Sequence, residues 1–174
     1  MQKIDQAVLQ IAILLTPSFN LSATMGFIDP FRAVNYLEGK TRYSWRILSL
    51  DGGMLVASNG LQLQTEALAD VDRDAFDLVI VSSSWTPERF SDERMFAALR
   101  YWARKKITLG ALDTGAFILG QAGLLKGRKA TVHYEHLDSF IELHPKIKCN
   151  EQLCVFDGDR ISCAGGNASV DFAL

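Results

Sequence analysis

The stretch GALDTGAFILGQAGLLKGR, residues 110–128, carries an apolar run through an Asp-Thr-Gly corner into a small-residue helix. Sharp strand-to-helix turns of this kind often present a nucleophile. The residue at this corner is Asp113, a carboxylate. At a helix mouth the unpaired amides and the helix dipole favour negative charge, so Asp113 is expected to stay ionised and to present one charge to a pocket. Asp followed by Thr-Gly-Ala is also a good N-cap. Spacing alone leaves both roles open, and the two can coexist. No base or metal partner stands near Asp113 in sequence to make the carboxylate itself a nucleophile.

Other residues with chemical potential are sparse. HYEH at 133–136 pairs two histidines with Glu135 and has no cysteine beside it, a poor match to metal-ligand spacing. No metal is expected, a core-packed His133 is the bland alternative, and His136 and His144 read as surface residues. Cys149, Cys154 and Cys163 are odd in number and irregularly spaced, which suits reduced, mostly buried thiols.

The elements that must position Asp113 follow from the apolar runs. AVLQIAILL at 7–15, FDLVIVSS at 76–83 and KITLGAL at 106–112 are each followed by a helix-compatible stretch. This alternation predicts an α/β fold with a parallel sheet covered on both faces. Parallel sheets bind ligands beyond the carboxyl ends of their strands, where Asp113 falls and where Phe19 and Asn20 would face the same crevice. For Phe19 the alternative is a hydrophobic staple onto the following helix. That helix is expected over 21–38, with Pro30 bending it or ending its first part. YSWRILSLDGG predicts a strand to Leu50 and a turn at 51–53, followed by a further extended piece. Asp92 and Glu93 open a helix over 92–105 whose basic end suits the dipole, so that cluster reads as a solvated helix end. QLCVFDGDRISCAGG reads as a hairpin turning at Asp157-Gly158. NASVDFAL begins another helix without a terminating signal, so the sequence reads as cut mid-element.

The 174 residues allow one domain with a sizeable core. A net charge of −2 provides no global attraction to nucleic acid or to an anionic membrane. The apolar run at 7–15 is too short to span a bilayer, and no small-residue cleavage site follows it. A cytoplasmic protein without a membrane partner is expected.

DTGAFILGQAGLLKGRKATVHYEH resembles the segment around the nucleophile elbow in the glutamine-amidotransferase-like superfamily, specifically its PfpI-like branch. The resemblance is closer to the amidotransferase-like N-terminal domains of AraC-family transcription regulators. It rests on residues 114–117 and 122–125, with Gly127, Arg128, Ala130, Thr131, His133 and Tyr134. FNLSATMGFIDPFRAVNYL is similar to the first helix of those domains, with Pro30, Arg32 and Asn35 in the matching pattern. The resemblance covers essentially the whole chain and implies a flavodoxin-like three-layer sandwich with a mostly parallel central sheet.

Two departures shape the functional expectation. The superfamily's enzymes carry cysteine where this chain has Asp113, and an acid in the first helix where it has Ala23. Without a thiolate the usual covalent intermediate is lost. The resemblance then implies a non-catalytic effector-binding domain over 1–174, with DNA bound only through a helix-turn-helix domain beyond 174. It places His133, Tyr134, Ser83, Ser84 and Trp85 around the elbow, with simple packing as the alternative for Trp85. The expected ligand-binding set is Asp113, Thr114, His133, Tyr134, Ser84, Trp85, Phe19 and Asn20, with no cofactor. A carboxylate ringed by Phe19, Trp85 and Tyr134 suits a small cationic or zwitterionic effector such as a betaine, carnitine or an amino-acid-like molecule. Resembled domains with Asp-Thr-Gly at the elbow include sensors of such quaternary amines. A homodimer is expected. The alternatives are a PfpI-like hydrolase, hydratase or glyoxalase, and a pseudoenzyme that only dimerises.

Overall fold

The computed structural model describes residues 7–174; the first six residues of the domain expected over 1–174 lie outside the described residues. The apolar runs become β1 (Leu9–Leu15), β5 (Leu78–Ser83) and β6 (Thr108–Asp113), side by side at the centre of one sheet. Around them lie β2 (Tyr43–Ser49), β3 (Gly53–Val56), β4 (Gln62–Ala67), β9 (Cys154–Asp157) and β10 (Arg160–Cys163). The order is β3-β4-β2-β1-β5-β6-β10-β9, parallel throughout except for the two edge strands, β3 and β9. Short strands β7 (Lys129–Ala130) and β8 (Lys148–Cys149) pair separately.

The period-two alternation of each central strand feeds two cores. Ala12, Leu14, Val79, Val81, Leu109 and Ala111 face the helices α2 (Glu93–Arg104), α3 (Gly115–Gln121) and α4 (Leu137–Leu143). Ile11, Ile13, Leu15, Ile80 and Leu112 face α1 (Leu21–Glu38) and α5 (Ala168–Ala173). Three layers result, as the alternation and the resemblance imply.

Helix α1 does not end at Pro30 but runs through it to Glu38. Contacts on both sides of the proline hold it, one to α5 and one to the sheet. Phe27 packs on Phe172 of α5 at 5.8 Å between ring centroids, and Phe31 packs on Tyr43 at 4.9 Å. Asn35 fastens the far end, accepting from the Arg42 and Tyr43 amides and donating to the Tyr43 carbonyl. The hairpin of β9 and β10 turns at Asp157-Gly158, where Gly158 takes a left-handed φ of 64°. Among the described residues, no helix is long and apolar enough to cross a membrane.

Candidate functional site

Strands β1, β5 and β6 end at one rim of the sheet, and the chain leaves each in a turn. At the end of β6, Asp113 has a φ of 59°. A side chain in the left-handed region costs on the order of 1–3 kcal/mol, and Asp and Asn tolerate it best. Two glycines hold the corner in place. A Cβ on Gly115 would lie 2.2 Å from the Val81 carbonyl oxygen, and one on Gly165 would lie 2.9 Å from the Asp113 Cβ. Between them Thr114 is fully buried and donates its hydroxyl to the Ser84 carbonyl at 2.7 Å.

Asp113 is therefore not the N-cap of α3. That position belongs to Thr114, whose side chain makes no capping bond. The Asp113 carboxylate instead accepts from Asn20 Nδ2 at 2.6 Å. Asn20 Oδ1 meanwhile accepts from the Ala23 amide at 3.0 Å and caps α1. Where the superfamily's enzymes have an acid, the Ala23 methyl is wholly buried, and the residue that reaches the elbow is Asn20.

Burial pushes the Asp113 carboxyl above its ordinary range, against the opposing pull of the Asn20 bond, His133, His136 and the Thr114 amide. The expectation that a helix terminus holds this group ionised is thus corrected in its cause. Desolvation is the largest influence, and it favours the neutral acid.

A cleft of about 120 Å³ opens over the carboxylate, lined by Asn20, Ser58, Ser84, Trp85, Asp113, His133, Glu135 and His136. Of the eight expected residues the structure brings Asn20, Ser84, Trp85, Asp113 and His133 into this lining. Thr114 supports it from below. Phe19 does not reach it, because its ring is wholly buried in the α1-face core, and only its backbone stays near, accepting from Ser58 N–H at 2.9 Å. Tyr134 is 75% exposed outside the lining, with its ring against that of His133 at 4.6 Å. The expected ring of three aromatics reduces to Trp85, itself 57% exposed.

Ser83 faces downward rather than into the cleft. Its Oγ accepts from Thr16 Oγ1 at 2.8 Å, next to a Thr24–Ser82 hydroxyl pair at 2.9 Å. The His133 amide donates to the Asp113 carbonyl at 3.3 Å, and its Nδ1 accepts from the Glu135 amide at 3.4 Å. His136 lines the cleft rather than the open surface, since the turn Tyr134–His136 folds it back beside His133, 6.3 Å between rings. His144 is no surface residue either. It packs on Phe140 at 5.1 Å and on Phe117, and burial lowers its pKa. Ser58 comes from a hairpin loop without periodicity or motif to mark it, whereas Glu135 and His136 stand in the HYEH stretch but outside the expected ligand-binding set. Among the described residues, no group of three or more His, Cys, Asp or Glu side chains is placed to hold a metal.

Residues 10–174 match the DJ-1/PfpI family. The HTH-type transcriptional regulator CdhR of Pseudomonas aeruginosa is 37% identical over 161 residues, 92% of this chain and 47% of that protein. GbdR of the same species, also an HTH-type transcriptional regulator, is 35% identical over 164 residues, 94% of this chain and 44% of its own. The chain thus spans about half the length of these curated relatives. The crystal structure of an AraC family transcriptional regulator from Pseudomonas putida shares the fold, with a TM-score of 0.83 at 24% identity, covering 95% of this chain and 88% of that one.

Proposed function

The chain belongs to the DJ-1/PfpI family, and on that premise we propose that it is the non-catalytic, effector-binding domain of an AraC-family transcriptional regulator. The observation that carries this reading is Asp113 itself: a carboxylate sits at the strained elbow, tied to Asn20, at the floor of a small polar cleft. The names of the relatives support a regulator. On this reading residues 1–174 form the sensing domain, and DNA is bound by a helix-turn-helix domain outside the matched half. The domain acts in the cytoplasm as a homodimer, and sedimentation of the purified protein tests that assembly.

The effector is a small cationic or zwitterionic metabolite of the betaine, carnitine or amino-acid type. A fixed cation placed against Asp113 gains its charge, and Trp85 adds a cation–π contact of about 0.5–2 kcal/mol. The cleft is small, about 120 Å³, which suits a compact head group. With Nδ1 of His133 accepting from the Glu135 amide, its Nε2–H is free to donate to the carboxylate of a zwitterion. Calorimetry with glycine betaine and with carnitine tests the proposal. Binding that weakens about ten-fold or more in Asp113→Ala supports it, and a preference for a dianionic or purely apolar metabolite overturns it.

One observation favours a second reading. A buried carboxyl with a raised pKa beside His133 is also how acid–base pairs are built, as a hydratase or hydrolase would need. Turnover that disappears in Asp113→Ala and survives alkylation of the cysteines would establish that reading and displace the sensor.

A further inference from the structure

Strands β9 and β10 run antiparallel with Cys154 directly opposite Cys163. The next pair along is hydrogen-bonded, the Ala164 amide donating to the Leu153 carbonyl at 2.8 Å. Antiparallel ladders alternate, so the cysteines occupy a non-hydrogen-bonded pair, the type in which Cα atoms approach to about 4.5 Å. That separation lies within the roughly 4.4–6.8 Å that disulfides span. Both side chains point to the same face, the α1 and α5 core, where Cys163 is buried and Cys154 is packed at its margin. Each thiol also acts on the other's ionisation.

We propose that Cys154 and Cys163 form a reversible disulfide on exposure to hydrogen peroxide, and that this bond loosens the support of Asp113. The inference does not depend on the effector reading. Burial raises both thiols, and pushes that of Cys163 up to about 12, but Cys154 reacts first because it is part-exposed and Cys163 is buried. Its thiolate attacks one peroxide oxygen, the O–O bond breaks, and a sulfenic acid forms with release of hydroxide. The Cys163 sulfur then attacks the Cys154 sulfur. The S–S bond forms, the S–O bond breaks, and water leaves with the Cys163 proton. The dithiol loses two electrons, and the peroxide is reduced to two waters.

The link to the site is short. The Gly165 amide donates to Cys163 Sγ at 3.4 Å, and Gly165 presses against Asp113 so closely that a Cβ would clash. Drawing that sulfur toward Cys154 takes the acceptor away from the Gly165 amide. Cys149 lies on β8, in the separate sheet, and serves as an internal control.

The test treats the reduced, purified protein with hydrogen peroxide, quenches with acid, unfolds, alkylates and maps peptides without reduction. The expected result is loss of two of the three alkylatable thiols, one peptide pair linked through Cys154 and Cys163, and full recovery with dithiothreitol. Hydrogen exchange at 163–166 and 113–115 should rise in the oxidised form. Cys154→Ser, at a part-exposed site, should keep Cys149 and Cys163 alkylatable, and it keeps the test informative if the buried Cys163→Ser does not fold. Linkage through Cys149, or sulfinic acid on Cys154 without linkage, overturns the disulfide. Linkage with unchanged exchange at the elbow overturns its effect on Asp113.

Discussion

Asn20 and Asp113, 93 residues apart, meet at 2.6 Å, and the same Asn20 side chain caps α1 through its other end. One amide therefore closes a helix and restrains the charge of the site. Its two halves can be separated by mutation. Asn20→Ala removes both bonds and should cost about 2.5–4 kcal/mol, a cap of about 1 together with a charge-assisted bond of about 1.5–3. Asn20→Ser keeps a capping oxygen but loses the donor, and should fall between the two proteins in urea midpoint. A serine variant as unstable as the alanine variant would show that the cap adds nothing.

The pH dependence of stability has a defined sign. Burial sets the folded pKa of Asp113 above its unfolded value of 3.8. Such a group contributes stability fully below the unfolded pKa, and the contribution is lost as pH rises through the folded value. At neutral pH the buried charge is a net cost, which a neutral isostere removes. Asp113→Asn should therefore be more stable than wild type near pH 7, with the gap closing toward pH 4. Paired thermal melts across that window check it, and a gap that widens in acid contradicts it.

The glycine after the elbow makes a sharper prediction. A Cβ at Gly115 meets a backbone oxygen at 2.2 Å, which no rotamer change can relieve, so Gly115→Ala should cost at least about 3 kcal/mol. Gly123 has a φ of 80° with nothing within 4 Å of its Cβ position, so Gly123→Ala should carry only the backbone penalty of about 1–2 kcal/mol. Denaturant midpoints should rank the two in that order, and equal losses would mean that the approach to Val81 is not the constraint.

DNA should be ignored by this chain alone. Beyond its net charge of −2, three of the basic side chains in and just after α2 are already paired: Arg94 with Asp51 and Asp92, Arg100 with Glu93, and Lys105 with Asp74. Fluorescence anisotropy with a labelled duplex at physiological salt should show no binding tighter than about 10⁻⁴ M. Retention at micromolar protein would refute this.

The layout of the sheet was legible because burial on both faces demands uninterrupted apolar strands, and LQIAILL and LVIVSS have no other use for their β-branched runs. Asp157-Gly158 likewise names its own turn. The limits have equally physical causes. Proline ends helices in isolation, but the Phe27 and Phe31 contacts outweigh the missing hydrogen bond at Pro30. Phe19 stands beside Asn20 in sequence, yet in the turn that leads into α1 its ring goes into the core while the Asn20 side chain lines the cleft. Ser58, Glu135 and His136 lie on turns whose placement is set by tertiary contacts such as the bond from Ser58 N–H to the Phe19 carbonyl.

The wall of the site behind Asp113 is Gly165, which follows β10 in the chain and is made after every lining residue. Asn20 leaves the ribosome early, Asp113 much later, and the glycine that pins the corner later still. The binding geometry thus has a birth order and is complete only when β10 has zipped onto β6. Until Gly165 has been made and packed, the left-handed corner at Asp113 lacks the backbone that backs it, so the elbow is among the last parts of the sheet rim to be fixed.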